Sequence, residues 1–352
     1  MDGNSIESTD KTTFLGALLK YGVPLVISIG LCWLLFSNGD IDLAGMWEIV
    51  RRECDFRWIV ANLLLGIMAQ VFRAARWQIQ LRALDIRPSF WQLVLSIFGT
   101  YSVNLVLPRL GELWRTGYIA ARERAPFTTV FGSMVADRLA DTLTVLILLL
   151  LTFIPAGAQL SEYLGQSGGA MARLGELITS PLLWGFVIAA VIVVWAVFVK
   201  FPEHRVIAKI RSLCGGLWKG FAVVATMPGR GRWLLYTVML WGCYITALYC
   251  AFRAFPLTTE VLNLHGLTAL AVCFVLTSLS MGVPSNGGIG PWQWAMIFGL
   301  TLYASGVAGL TREYALTFAN LVMGSQTLML IVQGLFTFGC IAFSKRSKTE
   351  AK

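Results

Sequence analysis

Long apolar stretches alternate along the chain with short polar, often basic, segments. Stretches of spanning length run from Leu18 to Phe36, Trp58 to Ile79, Phe131 to Ile154, Leu182 to Val199, Trp233 to Phe252 and Ala315 to Phe343. Each is close to the roughly 20 apolar residues that a helix needs to cross a bilayer. Three further stretches, Trp91 to Leu107, Gly266 to Gly282 and Pro291 to Gly306, are shorter. At 1.5 Å per residue they reach roughly 24 to 26 Å, against a hydrocarbon core of about 30 Å. The pattern predicts an all-α polytopic membrane protein, a single transmembrane domain over 1–352, with six spanning helices and two broken or re-entrant helical hairpins.

Charge sets the orientation. The segment from Lys200 to Arg232 carries Lys200, Arg205, Lys209, Arg211, Lys219, Arg230 and Arg232 against Glu203, and the C-terminus carries Lys345, Arg346, Lys348 and Lys352. Both are expected on the cytoplasmic side. A full crossing by Trp91 to Leu107 would put the first of these basic segments outside. A hairpin over residues 90–124 that dips in and returns on the cytoplasmic side keeps Arg82, Arg87, Arg122 and Arg124 inside. Arg51, Arg52 and Arg57 then fall outside, partly balanced by Glu48, Glu53 and Asp55. Val261 to Gly306 reads as a hairpin opening outward, although two full crossings would satisfy the same charges.

The first hairpin breaks at Pro108-Arg109-Leu110-Gly111-Glu112, the second at Pro284-Ser285-Asn286-Gly287-Gly288. Both read P-x-x-G, and the two prolines lie half a chain length apart. The halves 18–154 and 182–343 therefore read as an inverted repeat, an architecture in which broken helices meet near the midplane and bind substrate.

Composition narrows the function. Of 352 residues 57% are hydrophobic and 13% charged, about half the charged share of a soluble domain. The net charge of +9 is spread through short loops, which fits membrane orientation and no nucleic-acid partner. Seven Cys without a C-x-x-C pair and two His point to no metal site, no cofactor and no His-based catalysis. The expectation is a transporter and not an enzyme.

Charged residues at bilayer depth are functional candidates, because each costs roughly 2.5 to 3.5 kcal/mol to insert. Arg73 and Arg76, three apart on one helix face, are either snorkelling anchors or a phosphate clamp built on the planar fork of guanidinium donors. Arg109, Glu112 and Arg115 flank the first break. Asp137, Arg138 and Asp141 start an otherwise apolar helix. The two carboxylates there are four apart on one face and need basic partners, for which Arg73, Arg76, Arg109 and Arg115 are available. In the second break, Asn286, Gly287, Gly288 and Gly290 precede Pro291 and could present backbone N–H groups to an anion. Trp292 and Trp294 fit interfacial anchors as well as site walls.

Together "RAARW", "NLVLPRLGELWR", "ADRLAD" and "PSNGGIG" resemble the flippase-like transmembrane family named after the membrane region of lysylphosphatidylglycerol synthase. The resemblance covers nearly the whole chain. It implies roles in binding for Asn104, Glu112, Arg115, Arg138 and Asp141 and in the broken helices for Pro108, Gly111, Pro284, Gly287, Gly288 and Gly290. Where the family often has an acidic residue after the second glycine-rich motif, this chain has Gln293. No aminoacyl-transferring domain is expected within these residues, so the resemblance implies lipid translocation without lipid synthesis. The expected substrate is a membrane lipid with an anionic head group: a phospholipid, an aminoacylated lipid or a polyprenyl-phosphate-linked lipid. The expected place is the bacterial cytoplasmic (inner) membrane, with a lipid-synthesising enzyme as a possible partner. An ion-coupled carrier of a small soluble anion and an accessory subunit of a lipid-modifying enzyme are the alternatives.

Overall fold

A computed structural model of the chain describes residues 43–166, 227–304 and 306–350, with side chains described outside 153–166 and 344–350. The expected spans Leu18 to Phe36 and Leu182 to Val199, and the basic segment as far as residue 226, lie outside the described residues. Among the described residues the protein has nine helices and no strand: α1 Leu43–Glu53, α2 Phe56–Arg82, α3 Phe90–Val106, α4 Leu110–Glu123, α5 Phe127–Gln166, α6 Arg230–Arg253, α7 Pro256–Ser280, α8 Pro291–Leu302 and α9 Arg312–Glu350. By length and composition α2, α6, α7 and residues Arg312–Phe343 of α9 can cross a membrane. The chain divides into two compact units, one holding residues up to Met134 and from Pro228 onward, the other Val135–Met227. Helix α5 begins in the first and continues into the second.

Within the first unit, side-chain contacts fix the directions of α2, α3, α4, α6, α7, α8 and α9. Asn62 donates to the Ala247 carbonyl at 2.7 Å, Phe72 stacks on Tyr236 and Ile79 lies beside Gly229, so α2 and α6 are antiparallel. Gln326 donates to Asn62 at 3.4 Å and Met329 packs over Gly66, so α2 and α9 are parallel. The C-terminal ends of α2 and α9 and the N-terminal end of α6 therefore share one end of the bundle. Arg82, Arg230, Arg232 and residues 345–350 belong to that end, hereafter the basic end. It is the gathering of charge that the sequence assigns to the cytoplasm.

Helix α3 enters from the same end. Its N-terminus is closed by a capping box in which Ser89 accepts from the Gln92 N–H and Gln92 from the Ser89 N–H, satisfying backbone donors a helix start leaves orphaned. Running antiparallel to α9, α3 places Gly99 beside Thr337 and Ser102 within 2.7 Å of the Leu330 carbonyl. The chain breaks after Val106, level with the middle of α9, and α4 runs back so that Trp114 meets Phe338 edge-on at 5.4 Å. The first hairpin thus enters and leaves at one end.

The second hairpin mirrors it. Gly266, at φ 63 and ψ −150, divides α7, and the piece before it lies against the N-terminal approach to α9, with Leu257 beside Gly309 and Leu264 near Gly306. The 14 residues from Leu267 to Ser280 then descend roughly 21 Å. This bend accounts for the short Gly266 to Gly282 stretch in the sequence: composition makes all of α7 one span, but only its second part runs inward. Helix α8 returns antiparallel, with Gly299 packed on Cys273 and Tyr303 on His265 at 5.0 Å. Pro291 occupies its first turn, where the missing N–H costs nothing.

In the second unit, α5 continues as helix through Pro155 to Gln166 and does not end at Ile154. A proline there removes one backbone donor and leaves the rest of the ladder in place.

Candidate functional site

The tips of the two hairpins touch. The Arg109 guanidinium donates to the Gly282 carbonyl at 2.7 Å, Asn286 donates its side-chain amide to the Leu105 carbonyl at 3.1 Å, and Gly287 packs on Leu105. Two sequence motifs half a chain apart are thereby one structural element. At the first tip the Gly111 N–H donates to Asn104 Oδ1 at 2.8 Å, and the Asn104 amide donates to Glu112 Oε2 at 3.2 Å. Asn104 thus caps the start of α4 across the break and holds the Glu112 carboxylate. Arg109 supplies the turn with a left-handed φ of 62, an unusual conformation for a residue with a side chain. At the second tip Gly287, Gly288 and Gly290 all have positive φ, which glycine alone adopts cheaply. The Gly290 N–H donates to Gln293 Oε1 at 2.6 Å and Gln293 donates to Asn320 at 3.4 Å. Gln293 therefore caps α8, a task a carboxylate at that position could also perform.

Between the tips and the basic end, three arginines are buried. Arg76 and Arg115 are 0% exposed and Arg73 is 3% exposed. The Arg115 guanidinium lies 4.5 Å from the centroid of the Trp77 ring, and the Trp77 indole N–H is held by Ser133 Oγ at 3.0 Å. The Arg76 guanidinium lies 5.6 Å from the Trp233 ring. Such stacking is worth about 2 kcal/mol when desolvated, and it presents the planar fork in a fixed direction. Arg73 hydrogen-bonds the Tyr244 hydroxyl, which also bonds Tyr101. Helix α2 thus supplies Arg73, Arg76 and Trp77, whose partners come, directly or through Tyr244, from α3, α4 and α6.

The sequence singled out Arg73, Arg76 and Arg115 but not the Trp77 and Trp233 platforms, nor the tyrosine pair. A signal was present: Asn62, Gln70, Arg73, Arg76 and Gln80 recur every three or four residues along the buried face of α2, so that face is polar through its length.

In the second unit Asp137 is buried and Asp141 is 9% exposed, and Arg138 pairs with Asp141 at 3.7 Å one turn along the same helix.

Two clefts border the first unit. One, of 510 Å³, runs between α4 and α9 and is lined by Leu113, Trp114, Gly117, Tyr118, Arg122 and Phe338 among others. The other, of 360 Å³, lies between α8 and the start of α9 and is lined by Ile297, Phe298, Leu300, Arg312 and Ala315 among others. Both are apolar and sit beside the returning limbs of the hairpins, away from the buried arginines. Among the described residues no group of three His, Cys, Asp or Glu could hold a metal ion.

Comparison with known proteins assigns the family. A UPF0104 membrane protein of Pyrococcus horikoshii is 25% identical over 296 residues, 78% of this chain and 82% of its own. A second UPF0104 membrane protein, from Methanocaldococcus jannaschii, is 26% identical over 155 residues, 42% of this chain and 45% of its own. The Haloferax volcanii protein named glycosyltransferase AglD is 23% identical over 312 residues, 81% of this chain but 49% of its own. No solved structure matches. Residues 23–334 match the family described as the lysylphosphatidylglycerol synthase TM region, and this chain, a multi-pass membrane protein, belongs to that family.

Proposed function

We propose that the protein is a lipid transporter, not an enzyme, that carries an anionic head group between the leaflets of the cytoplasmic membrane while the acyl chains stay in lipid. The observation that carries this reading is the burial of Arg73, Arg76 and Arg115 beside two broken hairpins whose tips meet. Guanidinium groups match phosphate oxygens in pairs. The first hairpin opens toward the basic end and the second toward the other, so the two halves act as an inverted repeat, with the head group passing where they meet. Asn104 and Glu112 set the shape of the gate. The clefts beside α4 and α8 fit acyl chains, with Arg122 and Arg312 among their lining residues. The glycosyltransferase relative, matched over half its length, adds glycan-linked lipid phosphates to the substrates worth testing, and a lipid-modifying enzyme to the candidate partners.

Native mass spectrometry and lipidomics of the gently purified protein test this reading. One anionic lipid class should be enriched with the wild type and absent from Arg115→Ala. The same bulk lipid mixture in both would overturn it in favour of a soluble-anion carrier or an accessory role.

A further inference from the structure

We propose that Gln70, Gln333 and Thr337 form a second part of the same site, one that reads uncharged hydroxyl groups, so that the preferred substrate is a lipid phosphate bearing a polyol or sugar. This inference rests on the lipid-transport reading and specifies its substrate class.

The parallel register of α2 and α9 puts Gln70 and Gln333 at one level of the bundle. Asn62 meets Gln326 and Gly66 meets Met329, and the next turn of each helix carries Gln70 and Gln333. One turn further, Thr337 lies against Gly99 of α3. The layer sits level with Ser102, which bonds the Leu330 carbonyl, and with its sequence neighbour Tyr101, which reaches Arg73 through Tyr244. Gln70 is 5% exposed, Gln333 6% and Thr337 0%. Gln70 Oε1, both polar atoms of the Gln333 amide and Thr337 Oγ1 are buried without a hydrogen-bond partner.

Buried polar side chains are almost always hydrogen-bonded, and two such amides with a hydroxyl on the next turn call for a ligand. Their chemistry says which. An arginine only donates and an ionised phosphate only accepts, so a bare phosphate engaged by the arginines leaves the two glutamine carbonyl oxygens unmet. Those oxygens require O–H or N–H donors. An ammonium group would bring a like charge toward Arg73, whereas a hydroxyl donates to a carbonyl oxygen and accepts from an amide N–H without charge. A phosphate for the guanidinium groups and a polyol for the amides complete both halves of the site. Sites built to bond a hydroxyl strongly reject analogues that lack it.

The test compares binding of phosphatidylinositol and phosphatidic acid to the full-length protein in detergent, for the wild type and for Gln70→Leu/Gln333→Leu, with thermal stability measured on the same samples. The two leucines match the glutamines in size and remove the unmet polar atoms, so folding is retained. The expected result is at least a tenfold preference for phosphatidylinositol in the wild type that falls below threefold in the variant, with affinity for phosphatidic acid unchanged. Equal binding of the two lipids by the wild type, the outcome if water alone fills the layer, overturns the inference, as does a preference that survives the substitutions. A wild type that binds neither lipid overturns the lipid-transport reading itself.

Discussion

Replacing Gly111 with alanine tests whether the first break is built as described. A Cβ at this position would fall against the backbone carbonyl oxygen of Thr100 and within 2.8 Å of Asn104 Oδ1. The carbonyl belongs to α3, which cannot rotate it away without losing helix hydrogen bonds, so α3 and α4 must separate. Overpacking of this kind costs about 1 to 3 kcal/mol, and loss of the Gly111 N–H bond to Asn104 about 1 kcal/mol more, for a total of about 2 to 4 kcal/mol. Gly117, two turns along the same helix, is the control. A Cβ there meets nothing within 4 Å, and the change to alanine should be neutral or gain up to about 1 kcal/mol from helix propensity. Thermal unfolding of both variants in detergent, paired with transport in proteoliposomes, reads the difference. Gly111→Ala should unfold at clearly lower temperature and lose transport while Gly117→Ala keeps both. Equal stability of the two would refute the close contact between α3 and α4.

Arg115→Lys keeps the charge but gives up the planar fork over Trp77, and transport should fall by about tenfold or more while insertion is unaffected, because a lysine cannot reproduce bidentate recognition; wild-type initial rates in proteoliposomes would contradict this. Asn62→Leu removes the bond to the Ala247 carbonyl, which keeps its own helix bond, and the bond from the Gln326 amide, so stability should drop by about 1 kcal/mol, measured as the shift in denaturation midpoint. Cys54, between α1 and α2, has its thiol pushed up to about 11 by burial and by the neighbouring Asp55 carboxylate. Because the thiolate is the reacting species, its alkylation rate should rise by about tenfold per pH unit from pH 7 and still be rising at pH 10. A plateau near pH 9 would show an ordinary thiol.

Much of the architecture was legible because bilayer depth restricts it to helices whose lengths can be counted. The boundaries of α2, α3 and α6 follow the apolar stretches to within three residues, and the Pro-x-x-Gly motifs mark both breaks. Helix α7 was only half readable: apolar residues lie on both sides of Gly266, so hydropathy carries no sign of its positive φ. Helix α5 runs past Pro155 because a single proline interrupts one hydrogen bond and not the whole ladder. In the site, Arg73, Arg76 and Arg115 stood out as charges in apolar surroundings. Their platforms did not, since Trp77 and Trp233 look like any other aromatic residue until the fold brings α2, α4 and α6 together. Gln70 and Gln333 are 263 positions apart, and only the register of α2 against α9 relates them.

The central claim is that an anionic head group passes the buried arginines on its way between leaflets. The most direct measurement is the transbilayer movement of a head-group-labelled anionic phospholipid in proteoliposomes, read by accessibility to a reagent confined to one side. Wild-type vesicles should expose the internal lipid pool much faster than protein-free vesicles, and Arg73→Ala/Arg115→Ala should return the rate to the protein-free level with the protein still folded and inserted. Equal rates for the wild type and the double variant would contradict the account.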